Sequence, residues 1–227
     1  MTDLPRKLLA EFIGTTGLLA AVVGSGIMGV ALSHGNDGIA LLANAAATAG
    51  ALYVLIVSLG PISGAHFNPV VTLVMRMRGE LDTREAAAYM AVQIVAAIIG
   101  VLLAHAMFDQ ALVQPGTHVR TGMSQWLSES VASFGLVLTI VLGVRHRPAA
   151  VPALVASYIF AAYWFTASTS FANPAVTLAR SLTQSFAGIR PEDVAGFIVA
   201  QLVGMLAAYW IAQALIGRSK TPAAEDR

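Results

Sequence analysis

Two short segments of this chain place the same polar pattern inside otherwise apolar sequence. FNPVVT begins at residue 67 and FANPAVT at residue 171, so Asn68 and Asn173 each precede a proline. Asparagine is a preferred N-cap and proline a preferred first helical residue, because the missing proline N–H would be unpaired there. The asparagine oxygen then accepts from its own helix, while its NH₂ group remains a donor. Two such amides favour binding of the oxygen of a passing hydroxylated solute.

Four further polar residues form a second duplicated pattern. Glu11 in AEFIGT and Glu129 in SESVAS each lie near the start of an apolar segment, and Gln93 and Gln201 recur later in the same order. Ionisable groups are costly in lipid and mark sites by default. We expect the glutamates to accept hydrogen bonds from the segments before the two asparagines, and the glutamines to join helices to these segments. The alternative is an ion-coupled secondary transporter that uses both glutamates as proton sites.

The composition places these residues in a membrane protein. Of the 227 residues, 57% are apolar and 11% charged, against roughly 25% charged in soluble domains. With net charge +1 and no cysteine, the sequence supports neither nucleic-acid binding nor a thiolate metal site, and no cofactor is expected. Six apolar segments are long enough to span a bilayer, and the first is too long for a signal-peptide core and is expected to be retained. They cover residues 8–32, 39–59, 83–105, 125–144, 151–167 and 193–216.

Two shorter apolar segments, residues 68–77 and 173–181, begin at the asparagines. Each would be roughly 14 Å long as a helix, so two placed end to end cross roughly one bilayer core. Irregular backbone is expected before them, in PISGAH and TASTS, and carbonyls at membrane depth must line a cavity or be buried. In the first of these loops we expect Gly64, Ala65 and His66 to line a pore. The sequence therefore predicts an all-α membrane protein of six transmembrane helices plus two re-entrant half-helices.

The chain is an internal duplication within a single channel domain. Residues 1–106 and 124–217 each contain three spans, and an odd number requires the second copy to be inverted, as in many transport proteins. Residues 218–227 then form a cytoplasmic tail. With both termini in the cytoplasm, ten basic residues lie inside and only three outside, as the positive-inside rule requires. The three outside residues are Arg120, Arg180 and Arg190.

At these residues the chain resembles the major intrinsic protein family, the aquaporins and aquaglyceroporins. The shared motifs are AEFIGT at 10–15, SGAHFNPVVT at 63–72, SES at 128–130 and FANPAVT at 171–177, and the likeness covers residues 8–216. The resemblance implies one pore per subunit in the lipid bilayer, assembly as a homotetramer, and passive conduction of water or small neutral solutes.

The sequence departs from the family pattern in its two Asn-Pro boxes. Pro69, Pro174 and Ala175 match, but Val70 stands where the first box has alanine. In most members an arginine follows the second box, and it narrows and charges the outer constriction. Here that position is Val176.

Counting back from the two asparagines as the family does places Thr48, Ala161 and Ser170 beside Val176 at this constriction. All four side chains are small, so the predicted filter is wide and uncharged and favours bulky neutral solutes. It resembles the filter of a bacterial branch associated with arsenic resistance, in which valine also replaces the arginine. That likeness implies a bacterial inner membrane protein that conducts arsenous acid and methylated arsenicals, although glycerol, urea or boric acid would fit the same opening.

One further hypothesis and one expectation concern histidines. Ser63 and His66 in ISGAH have the residue types of a hydrolase dyad, but the matching place in the second half, TSFA, has no histidine. His105 lies near the end of a span and is expected at the surface.

Overall fold

The structure is a computed structural model that describes residues 3–217, and within this range it contains eight α-helices and no strand. Short 3₁₀ turns, Pro148–Ala150 and Pro191–Asp193, precede α6 and α8. The α-helices are α1 (Leu4–Ser33), α2 (Asp37–Ser63), α3 (Pro69–Met77), α4 (Thr83–Met107), α5 (Met123–His146), α6 (Val151–Phe165), α7 (Pro174–Arg180) and α8 (Val194–Ile216).

Six of the helices are long and apolar enough to cross a membrane, which confirms the six predicted spans. The two half-helices, α3 and α7, have nine and seven residues and begin at the prolines that follow Asn68 and Asn173. The prediction of irregular backbone from Pro61 onward is wrong for its first three residues, because α2 continues through this proline to Ser63. A proline inside a spanning helix removes one hydrogen bond, and such residues are tolerated in membrane helices.

The helices of the two halves pack in the same pattern. Helix α1 packs against α2 and α4, and in the second half α5 packs against α6 and α8. The halves meet where α2 contacts α6 and where each half-helix contacts both α4 and α8. Large apolar side chains cover the outside of the bundle, where lipid would solvate them, including Leu32, Val54, Val199 and Trp210.

Two glycines allow the paired helices to approach closely at equivalent places. A Cβ on Gly100 of α4 would lie 2.5 Å from the carbonyl oxygen of Thr16 in α1, and a Cβ on Gly204 of α8 would lie 2.0 Å from that of Ser130 in α5. The hydroxyls at these crossings also donate between helices, Thr16 to Ala96 at 3.2 Å and Ser130 to Ala200 at 2.9 Å. Small residues at helix crossings are typical of membrane bundles.

Two long loops, residues 108–122 and 181–190, pack together on one side of the bundle. The backbone N–H of Gly116 donates to Ser181 at 2.8 Å, and that of Arg190 donates to His118 at 2.8 Å. We call this the distal side. The opposite side, where α1 begins and α8 ends, is the terminal side.

His105 is fully buried beneath these distal loops, so the expectation of a surface position is wrong. Its Nδ1 lies 2.7 Å from the carbonyl oxygen of Leu112, and its Nε2 lies 2.8 Å from the hydroxyl of Thr183. The imidazole therefore joins the two loops to the end of α4. Its burial depends on loops that close over it from distant parts of the chain, which a position near a span end does not reveal.

Candidate functional site

The two half-helices meet in the interior of the bundle through their N-caps. The side-chain oxygen of Asn68 accepts from the N–H of Val70 at 2.9 Å. The oxygen of Asn173 accepts from the N–H groups of Ala175 and Val176 at 3.0 and 3.2 Å. Each asparagine therefore fixes the start of its own half-helix.

The amide groups of the same asparagines cross from one half to the other. Nδ2 of Asn68 donates to the carbonyl oxygen of Ala172 at 2.8 Å, and Nδ2 of Asn173 donates to that of Phe67 at 2.8 Å. Each NH₂ group has two hydrogens. One is used in the bond between the halves, so each asparagine has only one hydrogen left to donate to a solute. Both asparagines line the central cavity although they are only 5% and 4% exposed.

Glu11 holds the connector between α2 and α3 from behind. One carboxylate oxygen accepts from the Ser63 hydroxyl at 2.7 Å and the His66 N–H at 2.9 Å, and the other accepts from the Phe67 N–H at 2.7 Å and Gln93 at 2.8 Å. The carboxylate is fully buried and does not line the cavity. Four donors satisfy both of its oxygens.

Glu129 holds the connector between α6 and α7 in the same way. Its oxygens accept from the N–H groups of Phe171 and Ala172, both at 2.9 Å, and from Gln201 at 2.7 Å. The same Gln201 nitrogen donates to Thr177 in α7 at 2.8 Å, which joins α8, the glutamate and the half-helix. Glu129 is also fully buried and away from the cavity.

Both connectors adopt left-handed backbone at matching positions. The φ angle is 51° at Ala65 and 49° at Phe67, and it is 51° at Ser170 and 48° at Ala172. Non-glycine residues rarely take this conformation, and it persists where surrounding contacts fix it. With the N–H groups turned toward the glutamates, three successive carbonyls of each connector accept no hydrogen bond from residues 3–217. These are the carbonyls of residues 64–66 and 169–171.

A cavity lined by both halves runs past the paired asparagines. Gly64, Ala65 and His66 line it toward the terminal side, and Thr48, Ser170 and Val176 line it toward the distal side. Between these groups the wall is apolar, with Val22, Leu52, Leu136, Ile140, Val155 and Ile159. The cavity thus combines an apolar wall with a line of carbonyl oxygens and amide donors.

Ala161 does not line this cavity, contrary to the sequence prediction. It is exposed on the outer side of α6, and Tyr163 faces the cavity in its place. The prediction counted twelve residues back from Asn173. In the structure the α6 residue that faces the cavity is Tyr163, ten residues before Asn173, because the spacing depends on where α6 ends and on the path of the connector that follows it. Two residues rotate a side chain by about 200° around a helix, which moves it to the opposite face. The Tyr163 hydroxyl lies 3.3 Å from that of Thr48, so the ring has one aromatic member.

Arg180 is a second cavity residue that the sequence reasoning did not select. It is 2% exposed, yet it lines the cavity, and its guanidinium carbon lies 3.4 Å from the centre of the Phe171 ring. Its Nε donates to the carbonyl of Ala187. The available signal was its position four residues after Val176, which places both on one face of a helix.

Arg120 is also buried but serves as a brace for the distal loops. Its Nε donates to Gly188 at 2.8 Å, its Nη1 to Ser168 at 3.1 Å, and its backbone N–H to the Asp193 carboxylate at 2.8 Å. It does not line the cavity. Arg120 therefore ties its own loop to the second distal loop, to the connector before α7 and to the 3₁₀ turn before α8.

Ser63 and His66 do not form a catalytic pair. The serine hydroxyl donates to Glu11 at 2.7 Å, and His66 Nδ1 lies 3.1 Å from the Thr72 hydroxyl. Within residues 3–217 no group of three or more His, Asp or Glu side chains could hold a metal ion.

Six spanning helices and two half-helices around a cavity define a channel-forming membrane protein. A profile described as Major intrinsic protein matches residues 1–166. The chain therefore belongs to the major intrinsic protein family, whose members are membrane channels for small solutes. The match ends before Asn173, so the second Asn-Pro box lies outside it.

Individual relatives support the same family. The chain is 57% identical over 206 residues to the aquaglyceroporin AqpS of Rhizobium meliloti (strain 1021), covering 91% of this chain and 88% of the relative. It is 29% identical over 236 residues to the probable aquaporin AqpM of Archaeoglobus fulgidus, covering 92% and 96% of the two chains. The X-ray structure of the aquaglyceroporin from Plasmodium falciparum aligns over 93% of this chain and 97% of that chain, with a TM-score of 0.74 and 17% identity. This last likeness shows the shared fold.

Proposed function

We propose that the protein is a passive channel for small uncharged solutes that carry several hydroxyl groups. The observation that supports this most is the ring of Thr48, Tyr163, Ser170 and Val176 on the distal part of the cavity. Three of its four side chains carry a hydroxyl, and the fourth is apolar. Selectivity in such pores follows diameter and lining donors and acceptors.

The cavity suits a solute with an apolar side and a polar side. Glycerol has a carbon backbone that fits against an apolar wall and hydroxyls that fit the carbonyls of the connectors and the remaining amide hydrogens of Asn68 and Asn173. The 57% identical relative is named an aquaglyceroporin, which agrees with this class of solute. Water would pass by the same contacts.

Trivalent arsenicals belong to the same chemical class. Arsenous acid is a neutral trihydroxide of about the size and hydrogen-bonding capacity of a small polyol, and its methylated forms exchange hydroxyls for apolar groups. Val176 supplies an apolar contact at the ring in place of a charged one. We therefore include arsenous acid and methylated arsenicals among the solutes of this channel.

The proposal extends to assembly and placement. The channel is a multi-pass protein of the bacterial inner membrane with both termini in the cytoplasm, and the ten-to-three distribution of basic residues supports this orientation. Residues 1–106 and 124–217 are its two inverted repeats, and the tail, residues 218–227, lies outside the described residues. Exposed apolar side chains on the bundle provide the surface for a homotetramer within lipid.

An ion-coupled transporter is the less favoured function. It would need Glu11 or Glu129 to take up and release protons along the path, but both carboxylates lie away from the cavity and hold the connectors. These contacts suit a structural role.

A stopped-flow panel in proteoliposomes tests the proposal, with water, glycerol, urea, arsenous acid and methylated arsenicals as solutes. We expect flux of the neutral polyhydroxylated solutes that is linear in the gradient and indifferent to protonophores. Liposomes without protein set the background. Flux that saturates and collapses with a protonophore would favour the transporter, and flux at background for every solute would overturn the channel.

A further inference from the structure

The distal end of the cavity carries a buried cation on the same helix as Val176. Arg180 is the last residue of α7 and lies four residues beyond Val176, and both line the cavity. Residues four apart on a helix are neighbours on one face. The positive charge that is absent at position 176 therefore reappears one helical turn toward the distal side.

The packing around Arg180 fixes its guanidinium without using all of its donors. Nε donates to the carbonyl of Ala187, and the group lies flat enough against Phe171 for its central carbon to be 3.4 Å from the ring centre. In residues 3–217 neither Nη group donates a hydrogen bond to protein. A planar group held in this way presents its remaining N–H groups in a fixed direction, which lowers the cost of binding an oxygen ligand.

No carboxylate forms an ion pair with Arg180 within the described residues, although the buried charge of Glu129 partly offsets its charge. Their ion pairs join Lys7 to Glu85, Arg78 to Glu80, and Arg190 to Glu192 and Asp193. A second buried cation, Arg120, lies 5.0 Å from the same Phe171 ring. In the distal loop the pKa of His118 is lowered by partial desolvation and further by the charges of Arg120 and Arg180. The distal end of the cavity thus has a positive potential that water screens only partly.

Ser170 adds an independent polar group to the lining of the same cavity. Its hydroxyl is buried and has no hydrogen-bond partner in the described residues, and the residue lines the cavity. It directly precedes Phe171, on which the Arg180 guanidinium rests. Buried hydroxyls are normally paired, so an unpaired one that lines a solute cavity indicates a ligand.

We propose that Arg180 and Ser170 form an oxygen-binding site at the distal end of the cavity, which receives hydroxyl oxygens of neutral solutes and repels cations. This inference rests on the proposed channel function and goes beyond it. The small Val176 leaves the ring open for a bulky solute, while the displaced arginine keeps cations and protons from entering. Opening size and charge selection are then controlled by different residues one turn apart.

Substitution of Arg180 tests the charge. In Arg180→Met, which keeps an apolar contact with Phe171, we expect the leak of Na⁺ and protons into proteoliposomes to rise roughly tenfold or more. In Arg180→Lys we expect cation exclusion to remain and glycerol flux to fall, because the planar pair of donors is lost. Arg190→Gln is the matched control, since Arg190 lies on the same side, pairs with Asp193 and does not line the cavity.

A double variant tests whether a guanidinium at either position of this helix face excludes cations. Val176→Arg in the Arg180→Met background returns a guanidinium to the same helix face, and we expect it to restore cation exclusion to within about twofold of the parent. Failure of an assembled double variant to reduce the leak, or a leak equal to the parent in assembled Arg180→Met, would overturn the role of the charge.

Ser170→Ala is the variant least able to disturb folding, because it removes one unpaired hydroxyl. We expect a severalfold drop in glycerol flux relative to water flux. Glycerol-to-water ratios that equal the parent's in both Ser170→Ala and Arg180→Lys would overturn the binding site, whether or not Arg180→Met assembles. A parent that conducts no neutral solute would instead refute the proposed function itself, so the two failures are distinguishable.

Discussion

The two halves of the molecule share one framework and differ in what surrounds their connectors. In each half a buried glutamate on the first spanning helix accepts hydrogen bonds from a left-handed connector. A glutamine on the third spanning helix donates both to this glutamate and to a threonine of the half-helix. Around the first connector the neighbouring side chains include the uncharged Tyr89, whose hydroxyl donates to Ser63 and whose ring lies 5.3 Å from His66. Around the second they are the cations Arg120 and Arg180. The shared contacts build the cavity, and the contacts that differ determine what enters it.

The two halves also differ at the asparagine N-caps of their half-helices. Asn173 accepts from two backbone N–H groups and Asn68 from one, although the two amides donate across the interface at the same distance of 2.8 Å. The crossing bonds make each half-helix depend on the connector of the other half. A substitution that disturbs the connector of one half should therefore also destabilise the half-helix of the other half.

The largest expected effect comes from the supporting glutamates. In Glu11→Gln and Glu129→Gln, an amide NH₂ would face backbone N–H donors that lose their acceptor, which costs about 1–3 kcal/mol for each buried donor. Glu11 has four donors and Glu129 three, so Glu11→Gln should lower the thermal unfolding temperature in detergent more. Equal stability of either variant and the parent would contradict the supporting role.

A second effect, on flux rather than folding, is expected at the caps. Asn68→Asp and Asn173→Asp keep a capping oxygen but replace the donor by an acceptor and add negative charge. Neutral-solute flux in proteoliposomes should fall, and cation leak should appear, more in Asn68→Asp because Asn173 caps the half-helix that ends at the cation Arg180. Flux and ion exclusion that match the parent in both assembled variants would contradict a role of the two asparagine amides as donors to the solute.

A smaller and more selective effect is expected from Val176→Arg. A guanidinium at the ring beside Thr48, Tyr163 and Ser170 should narrow the opening and reduce flux of the largest solutes more than flux of water. Because Arg180 lies one turn away, repulsion between the two cations should lower the stability of the variant slightly. Oligomer size by gel filtration is the control, since an arginine that faced lipid would prevent assembly. Unchanged ratios among solutes in a well-assembled variant would mean that Val176 does not limit passage.

Much of the fold follows from local sequence, because its signals are local. The six spans are visible as long apolar segments, and the half-helix starts follow from the capping chemistry of Asn68 and Asn173. What the sequence could not supply is register across a connector of unknown geometry. A difference of two residues placed Ala161 at the ring where Tyr163 stands.

The burial of the polar residues on the distal side could not be predicted from the sequence for a related reason. Arg120, Arg180 and His105 look like loop or span-end residues in the sequence, and charged residues there are usually exposed. Their burial depends on carbonyl acceptors from loops that are distant along the chain, such as Gly188 and Leu112. A pattern search along one segment cannot find partners of that kind.

The most direct test of the central claim uses thiol labelling, because the chain has no cysteine of its own. The claim is that the cavity between the halves, with Val176 and not Ala161 on its wall, is the conducting path. A water-soluble thiol reagent should block glycerol flux through Val176→Cys in proteoliposomes and leave flux through Ala161→Cys unchanged. Block of Ala161→Cys together with full flux through labelled Val176→Cys would contradict the account.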